Sequence, residues 1–66
     1  MSILRKEIVW QPKDLTKPYI ADYLADAVSD IVNEECAIGS MAYIRGTGKV
    51  NVKIADEKAA SDWDEV

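Results

Sequence analysis

Three patterned stretches of apolar residues run along the chain, each bounded by proline or glycine. The first, ILRKEIVW, is β-branched at Ile3, Ile8 and Val9 and stops before Pro12, which has no amide to donate to a ladder; a strand is expected over residues 2–10. Period-two alternation puts Leu4, Lys6, Ile8 and Trp10 on one face and Ile3, Arg5, Glu7 and Val9 on the other. Neither face is cleanly polar, so the pattern leaves the inward side open.

The second stretch repeats at a longer period. Ile20, Leu24, Ala27, Val28 and Ile31 recur at helical spacing, with Tyr23 and Val32 beside the same stripe. Thr16 offers a capping hydroxyl, while Pro18 prefers the first helical position and would make Lys17 the cap. Gly39 suits the left-handed position that follows a helix. A helix from about residue 17 to the Gly39 stop is therefore expected.

The third stretch is a pair, MAYIR and KVNVKIA, flanking a glycine-rich turn, which is a hairpin signature. With Thr47 and Gly48 at the turn centre, Tyr43 faces Val52 and Met41 faces Ile54. Met41, Tyr43, Val50, Val52 and Ile54 then share an apolar face, leaving Lys49, Asn51 and Lys53 on the other. The order β-α-β-β predicts an α+β domain over residues 1–55, with a three-stranded, mainly antiparallel sheet and one helix on one face. Placing the third strand between the first two makes every neighbouring pair antiparallel. The uncovered side of such a sheet, with Ile3, Val9 and Ile44, is a candidate homodimer surface.

Length makes a partner attractive. A chain of 66 residues buries only about 60% of the surface it exposes when unfolded, and natural domains of this size usually add a disulfide, a metal or a second subunit. Cys36 is the only cysteine and there is no histidine, which excludes an internal disulfide and a Cys/His zinc site. No stretch reaches the ~20 apolar residues of a membrane span and no secretory signal is apparent, so a cytoplasmic protein is expected.

The net charge of −4 is unevenly spread: residues 1–54 hold seven acids and seven bases, whereas residues 55–66 hold five acids against Lys58. Residues 56–66 thus read as an acidic, weakly ordered C-terminal tail, and its Trp63 between two aspartates suggests a contact. Within the expected helix, Asp22, Asp26, Asp30 and Glu34 are spaced i, i+4, three like-charge pairs at ~0.2–0.5 kcal/mol each. Such an avoidable cost points to an acidic ridge awaiting a basic protein partner, with Asp62, Trp63, Asp64 and Glu65 as a second contact. A non-catalytic accessory or inhibitory protein, carrying nucleic-acid-like charge, is the leading expectation.

A second reading places nucleic-acid phosphates on Arg5, Arg45, Lys49 and Lys53 along the sheet and hairpin. A third makes the chain a structural subunit of a larger assembly. An enzyme is not expected. RGTGK resembles part of a phosphate loop, but Tyr43 stands where the first glycine of G-x-x-x-x-G-K-[ST] belongs and Val50 where the hydroxyl belongs. Cys36 has no histidine to activate it and reads as a small hydrophobe, and no cofactor or metal is expected.

Overall fold

A computed structural model describes residues 3–66. Five strands lie side by side in chain order in one sheet: β1 (Ile3–Trp10), β2 (Ile20–Ala25), β3 (Met41–Ile44), β4 (Lys49–Lys53) and β5 (Trp63–Glu65). The pairs β1/β2, β3/β4 and β4/β5 are antiparallel, and β2/β3 is parallel. Strand β1 matches the expected segment from Ile3 onward, while Met1 and Ser2 lie outside the described residues.

The expected three-stranded sheet with one helix is therefore corrected to a five-stranded mixed sheet. Helical segments among the described residues amount to two 3₁₀ turns, Val28–Asp30 and Ala60–Asp62. Residues 20–25 alternate instead of spiralling: Ala21, Tyr23 and Ala25 are buried, while Ile20, Asp22 and Leu24 point to the other face. Two physical terms favour the strand. It buries a tyrosine between two alanines on the inner face, and it dissolves the stack of like charges that a helix would have imposed.

One face of the sheet carries the core. A parallel connection needs a dozen or more residues, and here residues 26–40 cross that face, setting Ile31 and Cys36 against Ala21, Tyr23, Ala25, Ala42 and Ile44. Ser40, at the end of the crossover, accepts a hydrogen bond from the Ala21 amide at 3.1 Å. Ile44 is thus buried and Ile3 half-buried, so the surface expected from Ile3, Val9 and Ile44 does not form.

The acidic segment 56–66, expected as a weakly ordered tail, forms a 3₁₀ turn and the fifth strand. Trp63 is 6% exposed and meets Tyr23 edge-on, with ring centroids 6.2 Å apart at 84°. The turn before it is organised by Asp62, whose Oδ2 accepts hydrogen bonds from the Glu57 amide at 2.9 Å and the Ala59 amide at 3.2 Å. Composition alone reads this stretch as solvated acid; in the fold Asp62 and Trp63 both face inward.

The hairpin forms, with its register moved by two residues. Tyr43 faces Val50 and Met41 faces Val52, because four residues, 45–48, make the turn, which is closed by the Gly48 amide donating to Ile44 O at 2.8 Å. An even shift preserves the faces, so Met41, Tyr43, Val50 and Val52 remain together. Gly48 takes φ +71°, and Gly46 has no room for a side chain, since a Cβ there would lie 2.7 Å from Asp26 O. That close approach lets the Gly46 amide donate to Asp26 O at 3.0 Å, tying the turn to the end of β2.

Two consequences follow for stability. Gly46→Ala is expected to cost about 1–3 kcal/mol by forcing apart the turn and residue 26. Deleting residues 56–66 removes Trp63, a loss of about 3–5 kcal/mol by itself, comparable to the ~3–5 kcal/mol a core of this size supplies. The truncated chain is expected to lose its cooperative thermal transition by circular dichroism, whereas a flexible, unattached tail would leave the transition in place.

Candidate interaction surface on the open sheet face

No segment among the described residues crosses the other face of the sheet. Pairing places its side chains in rows: Arg5, Leu24, Tyr43 and Val50 across β1 to β4, then Glu7, Asp22, Met41, Val52 and Asp64 across all five strands. A third row begins with Trp10 opposite Ile20, and alternation continues to Ile54 at the far end of β4, where the Ile54 amide donates to Asp62 O at 2.7 Å. Trp10 is 56% exposed, Ile54 55%, and Met41, Tyr43 and Val50 each more than 40%. Eight large apolar side chains therefore line this face with nothing over them.

The inner face of β4 shows the inverse arrangement. Asn51 and Lys53 point into the core, which is the side that their polarity would have excluded. Lys53 is 1% exposed and compensated: its Nζ donates to Cys36 O at 2.7 Å and to Asp56 Oδ1 at 3.2 Å, and lies 3.7 Å from Cys36 Sγ. The Lys53 ammonium, helped by Lys58, holds the Asp56 carboxyl below the usual range. Cys36 is a buried small hydrophobe, the environment expected for it.

The charged residues singled out by sequence are distributed and mostly neutralised within the chain. Asp22 meets Arg5 at 3.8 Å, Asp26 meets Arg45 at 2.9 Å, and Glu34 meets Lys6 at 3.3 Å. Asp30 accepts a hydrogen bond from the Ala27 amide at 3.2 Å. Without the helix, these four acids form no ridge. Nor do Arg5, Arg45, Lys49 and Lys53 converge: Lys49 pairs with Glu65 at 3.9 Å and Lys53 is buried. Glu7 and Asp64 have no ion-pair partner among the described residues, and both belong to the middle row of the open face.

A second polar cluster lies at the β1 side of the core. Tyr23 donates to Glu34 Oε1 at 3.2 Å, and Lys6 Nζ, paired with the same oxygen, sits 4.7 Å from the Tyr19 ring centroid. Burial pushes the Tyr23 phenol far above its ordinary value, with Cys36 and Tyr19 adding, so it remains a neutral donor. Tyr19, then Glu34, raise the Lys6 ammonium despite partial desolvation. The cluster ties β1 and β2 to Glu34 of the crossover.

A shallow depression of about 260 Å³ lined by Leu15, Thr16, Lys17, Pro18, Tyr19 and Glu35 falls below the ~300–1,000 Å³ of usual small-ligand sites. No group of three metal-ligating side chains occurs among the described residues, and no helix among them is long and apolar enough to cross a membrane. What the fold defines is a small one-layer sheet covered by loops on one side and bare on the other. No protein-family model matches the chain, and no curated protein or solved structure gives a significant match.

Ile20 and Leu24 join the surface beside Trp10 only because β2 is a strand, which the expected helix from about residue 17 to Gly39 hid. The sequence IADYLA holds a single polar residue, Asp22, so the alternation shows in burial rather than in polarity.

Lys53→Ala is expected to cost about 2–4 kcal/mol, since it opens a cavity and leaves Cys36 O without its donor. The Asp56 contribution carries a pH signature. Its folded pKa lies below the unfolded one, so its stabilisation is complete above about pH 4 and fades as pH falls through the lower folded value. The melting-temperature gap between wild type and Asp56→Asn should be constant near neutral pH and close below about pH 4; a gap that persists into stronger acid would dissociate Asp56 from Lys53.

Proposed function

We propose that the chain is a small, non-catalytic interaction protein that docks a protein partner through the open face of its sheet. The observation that carries this reading is the inverted distribution of side chains. Trp10, Met41, Tyr43, Val50 and Ile54 stand in solvent, while the covered face, beside Tyr23, Ile44 and Trp63, holds alanines, Ser40, Asn51 and Lys53. A domain normally buries the apolar face of a sheet against a second layer, and contiguous exposed apolar surface of this kind marks interaction sites.

The partner fits the basic character expected from sequence, in a revised location. Glu7 and Asp64 on the face, with Asp22 between them, give it an acidic cast, while Arg5 is already engaged with Asp22. The nucleic-acid reading finds less support, because its four cations are apart and each lies within 4 Å of an acid. A role without catalysis or cofactor suits a chain whose polar clusters are all internal ties, and a reducing, cytoplasmic setting suits its single buried thiol.

Met41→Glu combined with Tyr43→Glu replaces two exposed apolar side chains worth about 1.5–3 kcal/mol each when buried, so affinity for a docked protein should fall at least ~10-fold. Both side chains point away from the core, and the circular dichroism spectrum should be unchanged. The check is retention of proteins from native extract on immobilised wild type and variant. Equal retention by a folded variant would remove the open face as the docking site.

A further inference from the structure

The open face is patterned across its width as well as exposed. Its middle row reads Glu7, Asp22, Met41, Val52, Asp64 from β1 to β5, two carboxylates, two apolar side chains and a third carboxylate. The flanking row places Tyr43 and Val50 over the same central strands, with Leu24 beside them on β2. An apolar strip thus runs along β3 and β4, bordered by Asp22 and Glu7 on one side and Asp64 on the other.

The dimensions of the strip select among occupants. Strands are spaced about 4.8 Å apart, so Asp22 on β2 and Asp64 on β5 stand roughly 14 Å apart across the strip. An α-helix with its side chains is about 10–12 Å across and fits between them. Three rows at roughly 6.8 Å intervals give a strip on the order of 14 Å long. At 1.5 Å per residue that is about nine or ten helical residues. A single extended strand would cover only one or two columns. A second copy laid face to face would bring its own Glu7, Asp22 and Asp64 against these carboxylates, with only Arg5 to offset them.

We infer that the open face seats a cationic amphipathic helix of a partner protein, whose apolar stripe lies over Leu24, Met41, Tyr43, Val50 and Val52 and whose flanking lysines or arginines meet Glu7 on one side and Asp64 on the other. This rests on the open face being the binding site. Asp64 and Glu7 are the specificity residues: they are exposed, they have no ion-pair partner among the described residues, and they stand on opposite margins of the strip. The apolar strip supplies affinity and the margins choose the sign of the partner's charge.

Two labelled synthetic helices test it, both with leucine along one face, one flanked by lysine and the other by glutamate. Fluorescence anisotropy with the full chain should show binding of the lysine peptide, weakened several-fold between about 0.05 M and 0.5 M salt, and no binding of the glutamate peptide. Glu7→Lys with Asp64→Lys should weaken the lysine peptide ~10-fold, and Met41→Glu with Tyr43→Glu should abolish binding, both with unchanged circular dichroism. Sedimentation of the chain alone should show a monomer. Equal binding of both peptides, lost on the Met41/Tyr43 variant, would overturn the charge assignment while leaving the face as the site. Failure of both peptides with a dimer that the same variant disperses would give the face to a second copy. Failure of both with a monomer would overturn the inference and the docking face together.

Discussion

Lys53 Nζ is where three separate segments of the chain meet: β4, which carries it, the crossover through Cys36 O at 2.7 Å, and the segment after β4 through Asp56 at 3.2 Å. Neither covering segment has a regular helix to lay a stripe of large apolar residues on the sheet. Residues 26–40 contribute Ile31 and Cys36, and residues 54–66 contribute Trp63. A cover with so few anchors needs directional ties. A buried ammonium supplies strong ones, because hydrogen bonds from a charged donor are roughly twice as strong as neutral ones and leaving the charge unpaired is costly. Ser40 on Ala21 and Asp62 on the Glu57 and Ala59 amides act in the same way at the other ends of the loops.

That economy inside explains what stands outside. Loops lying close over a sheet leave room for Ala21, Ala25 and Ala42 beneath them, and for one tyrosine set edge-on to one tryptophan. Met41 and Tyr43 of β3 and Val50 and Val52 of β4 are on the opposite side by alternation alone. Inner and outer faces are therefore coupled through a single pleat. An occupant that binds only the folded sheet adds its binding free energy to a core with little to spare, so stability should rise with occupancy of the open face.

The first strand, the hairpin and the grouping of Met41, Tyr43, Val50 and Val52 were legible in the sequence because each rests on a local rule: β-branched alternation, a proline stop, a glycine turn. Residues 20–31 were not, because Ile20, Leu24 and Ile31 satisfy a helical period while Ala21, Tyr23 and Ala25 satisfy a strand period, and only the neighbours β1 and β3 decide between them. The i, i+4 ladder of Asp22, Asp26, Asp30 and Glu34 held the answer in inverted form. A helix that requires such a ladder is a poor helix, and the cost that seemed to mark a functional ridge was an argument against the element itself. Trp63 was the other signal available. Its acidic neighbours concealed that Asp62 turns inward to hold a tight corner and that the tryptophan completes the core.

Strand order in this sheet equals chain order, so every ladder joins strands adjacent in sequence. Assembly can then proceed as a zipper in which each closure spans a short loop, apart from the one step where residues 26–40 must swing across the nascent face before β3 pairs with β2. Loop-closure entropy grows only slowly with length, and sheets dominated by near-neighbour pairing fold faster than those that interleave distant strands. The parallel junction between β2 and β3 is consequently the kinetic hinge of the molecule: two antiparallel units, β1–β2 and β3–β5, each able to form by local closures, become a single sheet when the crossover settles.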